Sequence, residues 1–109
     1  TASVSSQVSI NAQTGTTYTT VLTDASKLVT LNNGSAITLT IPPNSSVAYP
    51  VGTKIDLLQI GAGQVTVAAG SGVTVNSTPT LKLRAQYSGG TCIQYAADTW
   101  IFAGDLAAS

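Results

Sequence analysis

The sequence predicts an all-β domain, a compact antiparallel sandwich or barrel of about nine short strands. Three observations point there. Apolar residues alternate with Thr and other polar residues at period two, the spacing that places one set of side chains on one face of a strand. These runs recur at roughly the 8–12-residue spacing of β-sandwich strands, between turns rich in Gly, Pro and Asn. No segment sustains a 3.6-residue period; Asp24 to Leu28 offers one helical turn at most.

The first 17 residues, TASVSSQVSINAQTGTT, are uncharged and rich in Ser, Thr and Gln. They are expected to form an extended lead-in with one short strand around Val8 to Ile10. Residues 18–109 form the β domain. In Ala36-Ile37-Thr38-Leu39-Thr40-Ile41 the apolar side chains share one face, and the run stops at Pro42-Pro43, which cannot donate to a ladder. Lys27 to Leu31 precedes it across Asn32-Asn33-Gly34. Asn-Gly between alternating runs is a strong hairpin signal, so residues 27–41 are expected to pair as a hairpin. Pro42 to Gly52 is a loop.

Thr53 to Ile60 becomes apolar on both faces at its Leu57-Leu58 end, as a strand covered on both sides would. After Gly61-Ala62-Gly63 come two short strands, Val65-Thr66-Val67 and Val73-Thr74-Val75. Their repetition resembles rungs of a β-solenoid, but such folds need at least three repeats and only two are visible. Leu81, Leu83, Ala85 and Tyr87 alternate with Lys82, Arg84 and Gln86 as a further strand. Thr91 to Tyr95 and Thr99 to Ala103 close the chain, split by a turn at Ala97-Asp98.

Composition narrows the function. Of 109 residues, 43% are apolar, only 7% are charged, and the formal net charge is zero. Globular domains carry about 25% charged residues; here 17 Thr and 12 Ser supply the polar surface. Four scattered cations give no basis for binding a phosphate backbone. There is no His to serve as base or ligand, and one Cys allows neither an internal disulfide nor a cysteine-cluster metal site. No apolar run approaches the roughly 18 residues of a membrane helix, and no signal peptide is evident. A first residue other than Met is expected of a processed chain or an excised domain.

The candidate sites are few. Ile60-Gly61-Ala62-Gly63-Gln64 opens like a dinucleotide fingerprint, but Thr66 stands where the third glycine belongs and a strand follows instead of a helix. Asp24, Asp56, Asp98 and Asp105 are the only carboxylate side chains. Asp24 and Asp98 fit turn positions, and Lys54 with Asp56 fits an exposed pair. Cys92 lies among apolar strand residues and reads as a small buried hydrophobe. Asn33, Asn44 and Asn76 match the glycosylation pattern by their spacing to Ser or Thr, as chance allows in so hydroxyl-rich a chain. The aromatics Trp100, Tyr87, Tyr95 and Phe102 are the candidate ligand or subunit-contact residues. No catalytic, cofactor or metal residues are assigned, and no enzyme activity is expected.

Several segments together resemble a known domain type. They are Asp24-Ala25-Ser26-Lys27-Leu28-Val29-Thr30-Leu31-Asn32-Asn33, Ala36 to Pro42, Tyr49 to Asp56, Gly61 to Val67, Gly72 to Val75, Asp98-Thr99-Trp100 and Gly104-Asp105-Leu106. In this order they resemble the small C-terminal β domain of tailed-bacteriophage virion proteins of the minor-tail, tail-fibre or head-fibre kind. The likeness spans about residues 18–106 and departs at Thr91-Cys92-Ile93-Gln94, where such domains tend to carry a basic residue. It implies a homotrimeric structural protein on the exposed surface of a virion, at the tail or the capsid, serving host attachment or display. Its expected partners are other copies of itself, other virion proteins and a host-surface glycan, with no nucleic acid and no membrane insertion. Two alternatives stand beside it: a capsid decoration protein bracing the shell, and a monomeric carbohydrate-binding module using Trp100 or a Tyr as platform.

Overall fold

A computed structural model describes residues 7–109. The described chain is all-β, with nine strands and one 3₁₀ turn at Leu22–Asp24. The strands are β1 (Ile10–Gln13), β2 (Thr17–Thr19), β3 (Leu28–Leu31), β4 (Ile37–Ile41), β5 (Lys54–Gln59), β6 (Val65–Ala69), β7 (Thr74–Asn76), β8 (Gly89–Ala96) and β9 (Thr99–Gly104). They form a six-stranded sheet in the order β1-β3-β5-β8-β9-β7 and a three-stranded sheet in the order β2-β4-β6.

Up to β6 the chain alternates between the two sheets, and every pairing among these strands is parallel. This is a β-solenoid of three coils (β1–β2, β3–β4 and β5–β6), not a sandwich or barrel. The third repeat that the sequence did not reveal is present, but the repeats are whole coils and not the two Val-Thr-Val units. Leu28 pairs with Asp56 and Ile37 with Val65, so coils two and three are offset by 28 residues in both sheets. In a parallel pair the partner must lie a crossover away; here the crossover is a strand of the opposite sheet with its loop.

The expected hairpin over residues 27–41 does not form. β3 and β4 lie in different sheets, and Asn32-Asn33-Gly34 is the corner between them. Local alternation determines which face a strand buries, and a neighbour 28 residues away satisfies its ladder as well as an adjacent one does. The corners stack backbone on backbone. Gly63 N–H donates to Asn33 O at 2.8 Å, and a Cβ on Gly61 would stand 2.6 Å from the same oxygen. A Cβ on Gly63 would overlap the Ser35 carbonyl. Gly61 and Gly63 therefore stand where only a residue without a side chain can pack, with the exposed Ala62 between them, which accounts for the likeness to a nucleotide-binding loop.

The core fills the space between the sheets. Val29, Leu31, Ile55 and Leu57 face Ile37, Leu39, Ile41, Val65 and Val67, all at 2% exposure or less. The turnover to antiparallel pairing at β5–β8–β9 brings in Cys92, Trp100 and Phe102. The Pro42–Gly52 loop folds Tyr49 inward, where its ring meets Trp100 edge to face at 5.3 Å. The Tyr49 hydroxyl shares a 2.7 Å hydrogen bond with Thr20. Residues 81–87 are not a strand: Leu81 O accepts from Val67 N–H and Leu83 N–H donates to Val65 O. That short bridge covers the open edge of β6 and plugs the core with Leu83 before the chain turns away. The early strand lies at Ile10–Gln13, inside the stretch read as lead-in; residues 1–6 of that stretch lie outside the described residues.

Stacked corners make unequal demands on glycine. Gly63→Ala is expected to destabilise the fold by about 3 kcal/mol or more, as overpacking against rigid backbone does. Gly34→Ala, with nothing within 4 Å of its Cβ position, is expected to change stability by less than about 1 kcal/mol. Urea unfolding of both variants checks the difference, and equal effects would contradict the stacking.

Candidate binding surface

The described residues enclose no pocket, and no three of their Cys and Asp side chains converge as a metal site would need. The four carboxylates are each engaged by a different set of partners. Asp24, fully buried, accepts from Asn11 Nδ2 at 2.8 Å, Tyr18 Oη at 2.5 Å and Val21 N–H at 3.0 Å. Asp56 accepts from Thr91 Oγ1 at 2.6 Å and lies 3.6 Å from Lys54 Nζ. Asp98, in the β8–β9 turn, accepts from the distant Asn44 N–H at 2.7 Å. Asp105 takes a two-pronged grip from Arg84, at 2.8 and 2.9 Å, and the Ser88 hydroxyl at 2.8 Å. These arrangements cap backbone and tie strands together.

Burial explains the titration shifts. The Tyr18 phenol is pushed up to about 12, first by desolvation and then by its hydrogen bond to Asp24 and that carboxylate's charge. Burial likewise raises the Cys92 thiol to about 12, with Asp56 adding to it. Hydrogen bonds from Arg84 and then Ser88 hold the exposed Asp105 below the usual carboxylate value.

The four candidate aromatics separate into two pairs. Trp100 and Phe102 point inward at 0% and 1% exposure, so neither is a platform for a ligand or a subunit. Trp100 cannot serve the monomeric sugar-binding reading. Tyr87 and Tyr95 stand in solvent, 69% and 52% exposed. The Tyr95 hydroxyl accepts from Asn76 Nδ2 at 2.8 Å. Asn76 is on β7 and Tyr95 on β8, with β9 between them, so this bond draws the ring across the outside of the sheet.

That outside surface is the larger feature. Along β1, β3, β5, β8 and β9 the outward positions hold the large side chains Ile10, Leu28, Leu58, Ile93, Tyr95 and Ile101 beside Ala12, Thr30, Thr91 and Ala103. Between them lies the Lys54–Asp56 pair. Lys54, Ile93, Ile101 and Asn76 form one row across four strands. The three-stranded sheet differs: its outward rows are Thr17, Thr38 and Thr66, then Thr19, Thr40 and Ala68. Of the large face residues the sequence had signalled Leu58 and Tyr95, through the doubly apolar end of β5 and the aromatic content, and beside them the Lys54–Asp56 pair. Ile10, Leu28, Ile93 and Ile101 could be placed only with the register.

Tyr87 has a second peculiarity. Ser88 N–H bonds to Ala85 O at 3.0 Å, and Tyr87 is the third residue of this turn with φ at 70°. Turns with positive φ there take Gly or Asn, and a bulky residue costs about 1 kcal/mol. Among the described residues the other two non-glycine residues with positive φ, Ser26 and Asp98, are small and polar.

Compared with protein-family models, curated proteins and solved structures, the chain matches none. The described residues form a short β-solenoid domain closed by an antiparallel hairpin.

Two outcomes are expected. Cys92 should resist a thiol-exchange reagent at pH 8 in the native protein and react fully in denaturant, because its folded value is raised from 9.0 to about 12. The neutral thiol then favours the fold below pH 9, and that contribution fades as pH rises from 9 towards 12. Asp24→Ala leaves the Tyr18 hydroxyl and the Val21 amide without their acceptor and removes one of two from Asn11 Nδ2, and should cost about 3 kcal/mol. Ultraviolet titration of this variant should place the Tyr18 phenol below its native value of about 12.

Proposed function

We propose that the chain is a non-enzymatic structural module of a bacteriophage virion, a homotrimer that serves attachment or display at the tail or capsid. The carrying observation is the sorting of outward residues between the two sheets. The three-stranded sheet turns hydroxyls to water, whereas the six-stranded sheet sets Ile10, Leu28, Leu58, Ile93, Tyr95 and Ile101 among Thr30, Lys54, Asp56 and Thr91. Large apolar side chains concentrated on one face fit contact with other subunits. The resemblance of residues 18–106 to virion β domains supports the setting. In such a trimer the six-stranded faces turn towards the shared axis, and three copies of any outer contact act together with the avidity of linked sites.

Light scattering behind a sizing column, at several concentrations, tests this directly. A mass three times the 11.0 kDa chain, independent of dilution, is the expected result. Ile93→Asp combined with Ile101→Asp should reduce it to one chain while leaving the strand signal in circular dichroism. Both positions are 37% exposed in the single chain, so the charges should not unfold it. A native mass of one chain would end the trimer reading.

A further inference from the structure

We propose that Tyr87 is the stacking platform of a shallow carbohydrate-contact site, with Arg84, Gln86 and Asp105 on its rim. This goes beyond the structural role above and is independent of the subunit contact. The ring belongs to a turn that is fixed on all sides. Tyr87 N–H donates to Gln59 O at 2.6 Å, and Gln86 Nε2 donates to Ile60 O at 2.9 Å. Ser88 Oγ accepts from Ala85 N–H at 3.1 Å and donates to Asp105 Oδ2 at 2.8 Å. Asp105 in turn holds Arg84 through Nε and Nη2. A 69%-exposed aromatic is thereby locked in a backbone conformation that glycine would adopt freely. Nothing in the fold requires a ring there, since the side chain packs in no part of the core. An unfavourable residue held rigidly in the open points to a use outside the fold.

The surroundings select the ligand. Sugar rings present one face of C–H groups and an edge of hydroxyls, which a flat aromatic and nearby planar polar groups complement. The hydrogen bonds given above leave Arg84 Nη1 as donor and Gln86 Oε1 as acceptor for such hydroxyls. A protein partner would instead call for apolar neighbours that exclude water around the anchor, and here Arg84, Ala85, Gln86 and Asp105 are all exposed. An anionic ligand would need surplus positive charge, but Arg84 is already neutralised by Asp105. The absence of a pocket fits contact with a long polymer, read along its length by repeated weak sites.

The test uses the full chain with Tyr87→Gly and Tyr87→Trp. Glycine relieves the positive φ, so Tyr87→Gly should melt at or above the native temperature, and any lost binding is then not lost folding. Native protein is run through gels containing dextran, arabinogalactan or galactomannan and applied to an array of neutral and amino-sugar oligosaccharides. Retardation or capture by at least one is expected, weakened tenfold or more in Tyr87→Gly and kept in Tyr87→Trp, with the mass in solution unchanged in both. Failure to bind any gel or array sugar would overturn the proposal, as would undiminished binding by Tyr87→Gly. A fall in mass for Tyr87→Gly would also overturn it, by making the ring a subunit contact.

Discussion

The close approach of one coil's backbone to the next at the corners is the constraint from which the rest of the solenoid follows. Gly61 and Gly63 lie directly on Asn32, Asn33 and Ser35, and no other offset between coils two and three brings those residues together. The 28-residue offset fixed there runs unchanged through both sheets. It stacks Val29 on Leu57 and Leu39 on Val67, and so decides which side chains enter the core. Because strand side chains alternate, a slip of one residue at the corner would turn every inward residue outward. The first coil uses a shorter corner: Ile10 meets Leu28 but Thr17 meets Thr38. Asn33 spans the difference by donating from Nδ2 to Thr14 O at 2.8 Å.

A stack of coils has two open ends, and this one closes them by different chemistry. At the first coil the inward residues are Asn11, Gln13 and Tyr18, which join with Asp24 in one hydrogen-bonded layer over Val29 and Leu39. A polar layer can face water on one side and the core on the other, provided its members satisfy one another. At the far end Leu83, Trp100 and Phe102 seal the core with apolar volume. Two buried glutamines act as backbone staples. Gln59 accepts from Val65 N–H and donates to Gly61 O, holding the third corner. Gln94 donates to Tyr49 O and Pro50 O and accepts from Asp98 N–H, fastening the long loop to the closing hairpin.

Much of this was legible residue by residue, and little of it pair by pair. Period-two alternation located β3 to β9 to within a few residues, and Pro42 to Gly52 as a loop, because alternation reports which face of a strand is buried. It carries no information about which strand lies alongside. Asn32-Asn33-Gly34 therefore read as a hairpin turn when it is a solenoid corner, and Leu81 to Tyr87 read as a strand when only Leu81 to Leu83 meet an edge. Coils two and three share a length but little identity: Leu-Val-Thr-Leu stands over Asp-Leu-Leu-Gln, so the repeat is one of geometry. The buried Trp100 and exposed Tyr87 show the same limit. Composition supplied both rings, but only the register of β9 with β7 and β8 turns one inward, and only the backbone of one turn holds the other out.

Strand propensity does not account for the contrast between the two outer faces. Thr and Ile are both β-branched and both favour strands, so either would serve a surface strand locally. Yet the outward positions of β2, β4 and β6 hold Thr or Ala and no Ile or Leu, while on β1, β3, β5, β8 and β9 Ile and Leu share them with Thr, Ala, Tyr95 and the Lys54–Asp56 pair. Each such side chain left partly in water forgoes a share of the roughly 1.5–3 kcal/mol that full burial of an Ile or Leu supplies. The scarcity of charge sharpens the point. Surface charge ordinarily keeps β faces apart, but Lys54 is matched by Asp56 and Arg84 by Asp105 within the chain. No net repulsion therefore opposes the meeting of two copies. The two faces therefore differ in what they offer water: one is hydroxyl-coated, while the other sets apolar side chains around an internally matched ion pair and a tyrosine held by Asn76.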